Sequence, residues 1–250
     1  MLSLTSMRVV SLVPSMTESL LTSSATLVGV TRYCEVEGFE VIGGTKDPDI
    51  DAISKIAPDL VILDRHENRR QDFEAIASRG LEVYATSIAS IEELAHDFTE
   101  LNQRFDLRLP KIDTEAIGEI SKRLAAIDRA SGSLSARDQN PIKALVPIWR
   151  NPYMVINSTT YAGDLLRHIG VRVVGGESEY SKVDLATFRG QVDLILAPSE
   201  PYKFTKRQLP ELQGIAKVVE FVDGKDLFWW GTRTMGAIER LGEQIARISL

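Results

Sequence analysis

Apolar positions along this chain follow two rhythms that alternate. Short continuous runs, Val9 to Val13, Leu27 to Thr31, Leu60 to Leu63 and Val83 to Thr86, read as strands buried on both faces. Helical spacing separates them. Ser15-Met16-Thr17-Glu18 fits a capping box that starts a helix running past Leu21. Asp51 to Ile56 is a short amphipathic helix, Arg69 to Ser78 another that ends at Gly80, and Ile91 to Phe105 a longer one. After the polar stretch Ser131 to Pro141 the alternation restarts. Strands are predicted at Lys143 to Ile148, Val171 to Val174, Val192 to Ala197 and Lys217 to Val222. Helices are predicted at Tyr161 to His168, Asp184 to Phe188 and Thr232 to Ile248. Strand and helix in turn, with apolar strands, predict an α/β fold of parallel sheets covered by helices.

The stretch Asp113 to Ala130 stands at the middle of this pattern. Ile117, Ile120, Leu124 and Ile127 share one helical face, Asp113 is a good N-cap, and Ser131-Gly132-Ser133 supplies a stop. Glu119 and Arg123 are spaced for an i,i+4 ion pair. Two segments on either side of this helix match. Asp51 to Glu67 and Asp184 to Glu200 each run from an acidic start through a short helix and an aspartate into a buried strand and a polar exit loop. The match reads as an internal quasi-repeat. It divides the chain into an N-terminal α/β lobe over 7–110, a backbone-helix linker over 111–132 and a C-terminal α/β lobe over 141–250. Glu67 and Glu200 then occupy equivalent surface positions.

Composition narrows the function. The chain is 44% hydrophobic, enough for real cores, yet no run approaches the roughly 18 apolar residues of a membrane span. A net charge of -6 disfavours nucleic acid as a partner. Cys34 is the single cysteine, which rules out an intrachain disulfide, and no base is placed beside it by sequence. It reads as a small half-buried residue. Gly43 and Gly44 lack the surroundings of a nucleotide-binding loop. The first residues show no basic segment followed by an apolar core, and Pro14 interrupts the apolar run. That pattern predicts a cytoplasmic protein, or a periplasmic or cell-surface one whose leader has been removed.

The segments SLVPSMTESLL, LVGVTRYC, GGTKDPDI, PDLVIL, ENRR, IWRNPYM, TTYAGDLL, APSEPY and FWWGTRT follow one another in order. Together they resemble the helical-backbone, class III substrate-binding proteins of ABC importers for corrinoids, haem and ferric siderophores, and most of all the vitamin B12 branch. The resemblance runs from Arg8 to about Leu241, with PSEPY, WRNPYM and WWGTRT its most specific motifs. It implies two Rossmann-like lobes joined by one long backbone helix, with the ligand held in the cleft. It implies a non-catalytic protein with no cofactor and no metal ligands of its own, whose ligand itself contains cobalt or iron.

Residue by residue, the resemblance places Tyr33, Trp149, Trp229, Trp230 and Arg233 at the ligand. Flat macrocycles offer large apolar faces that aromatic rings cover at low entropic cost. Trp229 and Trp230 are adjacent, so at least one is expected to be exposed or in the cleft. Lys46 stands where the enterobacterial vitamin B12 binder has a tryptophan, which leaves room for another corrinoid or metal chelate. Glu67 and Glu200 are the expected docking residues for the two subunits of a permease dimer, and the protein itself is expected to be a monomer. Two other readings compete. A tetrapyrrole chelatase would need a His with a carboxylate, and His66 beside Glu67 is the candidate pair. A cytoplasmic carrier or sensor would fit the N-terminal sequence.

Overall fold

The apolar run at Val9 forms the centre of the first sheet. β1 (Arg8–Ser11) lies between β2 (Thr26–Val30) and β3 (Leu60–Asp64), and β4 (Val83–Thr86) extends the edge. All pairings are parallel, with Val9 opposite Leu60 and Val61 opposite Val83. β3 is buried along its whole length and β1 from Val9 to Ser11, while the outer strands β2 and β4 are partly open. α1 (Pro14–Leu20), α2 (Ile50–Ile56), α3 (Arg70–Ala77) and α4 (Ile91–Phe105) connect and follow them. Val10, Leu12, Ile42, Ile53, Val61, Leu63 and Ile76 make a core beneath one face. Each such side chain contributes about 1.5–3 kcal/mol by leaving water.

The computed structural model describes residues 6–130 and 141–248. They form two units. The first comprises 6–88, 92–112 and 230–232; the second comprises 89–91, 113–130, 141–229 and 233–248. In the second unit β5 (Ile142–Leu145), β8 (Val171–Val173), β10 (Leu194–Pro198) and β11 (Val218–Val222) make another parallel sheet, ordered β8-β5-β10-β11. Counted within each sheet, both have the strand order 2-1-3-4, and α6 (Tyr161–Arg167) and α7 (Leu209–Gln213) also belong to the second unit.

The repeat extends to single hydrogen bonds. The Asp59 carboxylate accepts from the backbone N–H of Arg8 at 2.8 Å, while its own N–H donates to the Arg8 carbonyl at 2.9 Å. Asp193 does the same to Lys143, at 2.9 and 2.8 Å. In both sheets an aspartate just before the third strand thereby fixes the register of the first.

Several local expectations change. β5 stops at Leu145, and β6 (Pro147–Trp149) pairs instead with β7 (Met154–Ile156) and β9 (Tyr180–Lys182) in a small antiparallel sheet. Trp149 therefore ends a strand and is not a loop residue. The Ser15 capping box is not made. Pro14 occupies the first helical turn with Val13 as N-cap, because a proline has no N–H to leave unsatisfied there. Asp184 caps a 3₁₀ turn over Leu185–Phe188, accepting from Ala186 N–H.

The central helix is α5 (Thr114–Ala130), with Asp113 accepting from Ala116 N–H as its cap. It packs on α9 (Thr234–Ala246) within the second unit. Gly242 lies against Leu124, so close that a Cβ there would sit 2.2 Å from Leu124 Cδ1. Ile117, Ile120 and Leu124 are buried as the spacing requires. The Glu119–Arg123 pair does not form. Glu119 takes Lys122 at 2.7 Å, and Arg123 reaches Glu239 on α9 at 2.7 Å, because the helix has a neighbour to bind. The Ile127 side chain and the Ser131-Gly132-Ser133 stop lie outside the described residues.

Candidate functional site

The loops after the strands of the first sheet are tied to one another. Asn68 is buried, and its side chain serves three of them. Its Oδ1 accepts from Asp64 N–H at 2.7 Å, and its Nδ2 donates to the carbonyls of Leu12 at 3.2 Å and Thr45 at 2.8 Å. The buried Asp64 carboxylate accepts from Thr86 Oγ1 at 2.7 Å and from the N–H groups of His66 and Glu67 at 2.8 and 3.3 Å. The turn carrying His66 and Glu67 is therefore fixed from beneath. Gly43, at φ 92°, turns the chain back so tightly that a Cβ would meet the Asp47 carbonyl at 2.5 Å.

On this edge Tyr33 is 54% exposed, and the Arg32 guanidinium lies 5.4 Å from its ring centroid. Arg32 is ion-paired with Asp47, which holds the guanidinium pKa above its ordinary value. Lys46 Nζ donates to the His66 carbonyl at 2.9 Å. Cys34 is buried, with its sulfur 3.2 and 3.3 Å from the hydroxyls of Thr17 and Thr31.

The second unit offers aromatic surface. Trp149 is 46% exposed and meets Tyr202 edge-on at 5.7 Å. Tyr202 leans on Phe204 at 4.8 Å, and Phe204 stacks with Tyr153 at 6.5 Å. Burial, with Glu211 nearby, pushes the Tyr153 phenol up to about 12. The exposed rim of this ladder is the Trp149 ring.

α8 (Gly224–Phe228) carries the buried Asp226. Its Oδ1 accepts from Arg233 and Arg240, and its Oδ2 accepts from Arg240, all at 2.6 Å. The Arg240 hydrogen bonds, reinforced by the charges of both arginines, hold the Asp226 carboxyl below the usual carboxylate range. Arg233 is thus bound to a carboxylate of its own unit, and it also lies 5.7 Å from the Trp229 centroid, with Lys225 Nζ at 4.9 Å. Trp229 is half-buried and carries cations on its ring. Trp230 is 5% exposed and falls in the first unit, although the division read from sequence put it in the C-terminal lobe. Beside it, Gly231 at φ 120° lies against Ser19, whose Oγ also accepts from Thr232 N–H at 3.1 Å. Of the two adjacent tryptophans, Trp230 is buried and Trp229 is only partly open.

Glu67 and Glu200 both follow the third strand of their sheet, and both are half-buried. They are not strictly equivalent. Counted from the register-fixing aspartates Asp59 and Asp193, Glu67 lies one position further along, and Glu200 precedes a cis proline, Pro201. The equal spacing seen in sequence arises because one segment gains a residue before its strand and the other after it. His66 is exposed, and neither it nor Glu67 belongs to a cluster of three metal-ligating side chains among the described residues. Sequence reading missed Asn68, Asp64 and Asp226, since their importance lies in partners distant in the chain.

A family model described as "Periplasmic binding protein" matches residues 9–197. Similar solved structures include a periplasmic heme binding protein from Pseudomonas aeruginosa, with a TM-score of 0.75 at 16% identity, covering 98% of this chain and 94% of that one. The periplasmic vitamin B12 binding protein of Vibrio cholerae has a TM-score of 0.69 at 17% identity, covering 96% and 97%. A siderophore binding protein from Vibrio cholerae, solved with Fe3+-Desferal, has a TM-score of 0.67 at 16% identity, covering 98% and 99%. At these identities the likeness establishes the fold.

Proposed function

The chain belongs to the periplasmic binding protein family, and on that premise we propose that it binds a metal-containing chelate without catalysis and delivers it to the permease dimer of an ABC importer. The ligand class is a corrinoid, haem or a ferric siderophore, the classes named for the structurally similar proteins. Its place of work is the periplasm or the cell surface. The cytoplasmic reading of the N-terminus has no support in the family. No helix among the described residues is long and apolar enough to cross a membrane.

The observation that carries the proposal is the Trp149 ring, left nearly half exposed at the end of an aromatic ladder. A large flat apolar ligand is the partner such a ring suits. Tyr33 is the matching open ring of the first unit. Trp229 and Arg233 are proposed as edge contacts, and Trp230 as a structural residue. The chelatase reading is not favoured, because among the described residues His66 and Glu67 join no cluster of three metal-ligating side chains. Absorbance titration with cobalamin, cobinamide, haem and ferric siderophores tests the proposal. A saturable shift with one class is expected; the absence of any shift sinks it.

Glu67 and Glu200 are proposed as the docking contacts to the permease. Charge-assisted contacts of this kind fix orientation and on-rate. Glu67→Arg and Glu200→Arg should each lower uptake in reconstituted vesicles while ligand affinity is unchanged. Normal uptake by the double variant rules the docking role out.

A further inference from the structure

We propose that Lys46 is a specificity-determining residue, through which the first unit selects a chelate bearing an oxyanion, either a carboxylate or a phosphate. The assignment rests on the binding-protein reading above. It starts from the charges at the edge of the first sheet. Arg32 is neutralised by Asp47, Arg69 by Asp72 at 2.9 Å and Arg70 by Glu74 at 2.8 Å. Lys46 has no carboxylate partner among the described residues, and its ammonium is held only by the His66 carbonyl at 2.9 Å. A backbone carbonyl orients an ammonium but does not neutralise it. Since a lysine has three N–H donors, the others stay available to a ligand oxygen. Among the described residues Arg65 also has no carboxylate partner, but no side-chain hydrogen bond holds it in place.

The position of Lys46 is fixed at both ends. The carbonyl of its chain neighbour Thr45 is bound by Asn68, and the His66 carbonyl sits on the turn that Asp64 holds. Arg32 N–H further ties this loop to the strand beside it through the Gly43 carbonyl at 2.8 Å. The ammonium is therefore preorganised, and little side-chain freedom is lost when it binds. A fixed cation without a counter-charge favours an anionic oxygen over the neutral ester or hydroxyl of the same shape.

Two ligand pairs test this by isolating the oxyanion: haem against haem dimethyl ester, and cobinamide phosphate against cobinamide. The wild-type protein should prefer the anionic member of at least one pair by about tenfold, as for one charge-assisted hydrogen bond. The haem pair points to a carboxylate and the corrinoid pair to a phosphate. Lys46→Met, which keeps the stem and removes the charge, should abolish that preference and leave affinity for the neutral member unchanged. Lys46→Arg should retain most of it. A preference that persists in Lys46→Met, equal wild-type affinity within both pairs, or binding of ferric siderophores only overturns the role of Lys46 and leaves the binding-protein reading intact. Failure to bind any chelate overturns that reading and this assignment with it.

Discussion

The two sheets share a strand order and a register device, yet the segments beyond their strands have opposite chemistry. In the first unit Asn68, Asp64 and Lys46 build a polar, hydrogen-bonded edge. In the second, Trp149, Tyr202, Phe204 and Tyr153 build an apolar ladder. The strands must satisfy a core, and a core accepts only a few patterns. The loops answer to whatever is bound, so they diverge while the frame is retained.

The two exposed-or-buried tryptophans break the comparison most sharply. Trp230→Ala should destabilise the fold by about 3–5 kcal/mol, since it empties a buried site. Trp149→Ala should leave the denaturant midpoint in place and weaken chelate binding by about 1–3 kcal/mol. Loss of binding in the first with an unchanged midpoint would reverse the assigned roles.

The shared frame is tested by Asp59→Ala and Asp193→Ala. Each removes a carboxylate that holds the first strand of its sheet, so each should cost about 1–2 kcal/mol in urea denaturation. Similar values sharpen the internal repeat. A difference of more than about 1 kcal/mol means that the two clamps do different jobs in their sheets.

The smallest effect is a pH dependence in the first unit. Burial foremost, and then the nearby Glu100 and Glu93, push the Asp97 carboxyl up to about 6, with His96 opposing. A carboxyl raised in the folded state binds a proton there that the unfolded chain has already lost. Asp97 therefore costs stability as pH rises from about 4 through 6. Because Asp97 is only partly buried and solvent screens its charge, Asp97→Asn should raise stability by about 1 kcal/mol at pH 7 and by almost nothing at pH 4. An equal gain at both pH values would show that packing and not ionisation is responsible.

Much of this was legible in the residues. The alternation of apolar runs with helical spacing specified parallel α/β units, because burial on two faces leaves a continuous signature in sequence. Asp113 and the spacing of Ile117, Ile120 and Leu124 located α5 for the same reason: caps and periodicity act within a few residues. The likeness of Asp51–Glu67 to Asp184–Glu200 disclosed the repeat. Tertiary structure decided what depends on distant partners. It turned Arg123 from Glu119 to Glu239, and it buried Trp230 while leaving Trp149 open. It bound Arg233 to Asp226, and it set Glu67 one position out of register with Glu200. It also joined three loops through Asn68, an ordinary residue in sequence whose hydrogen bonds reach Leu12 and Thr45. Local pattern follows from near neighbours and period. Which polar group meets which, and which ring is covered, follows from contacts that form only once the chain has closed on itself.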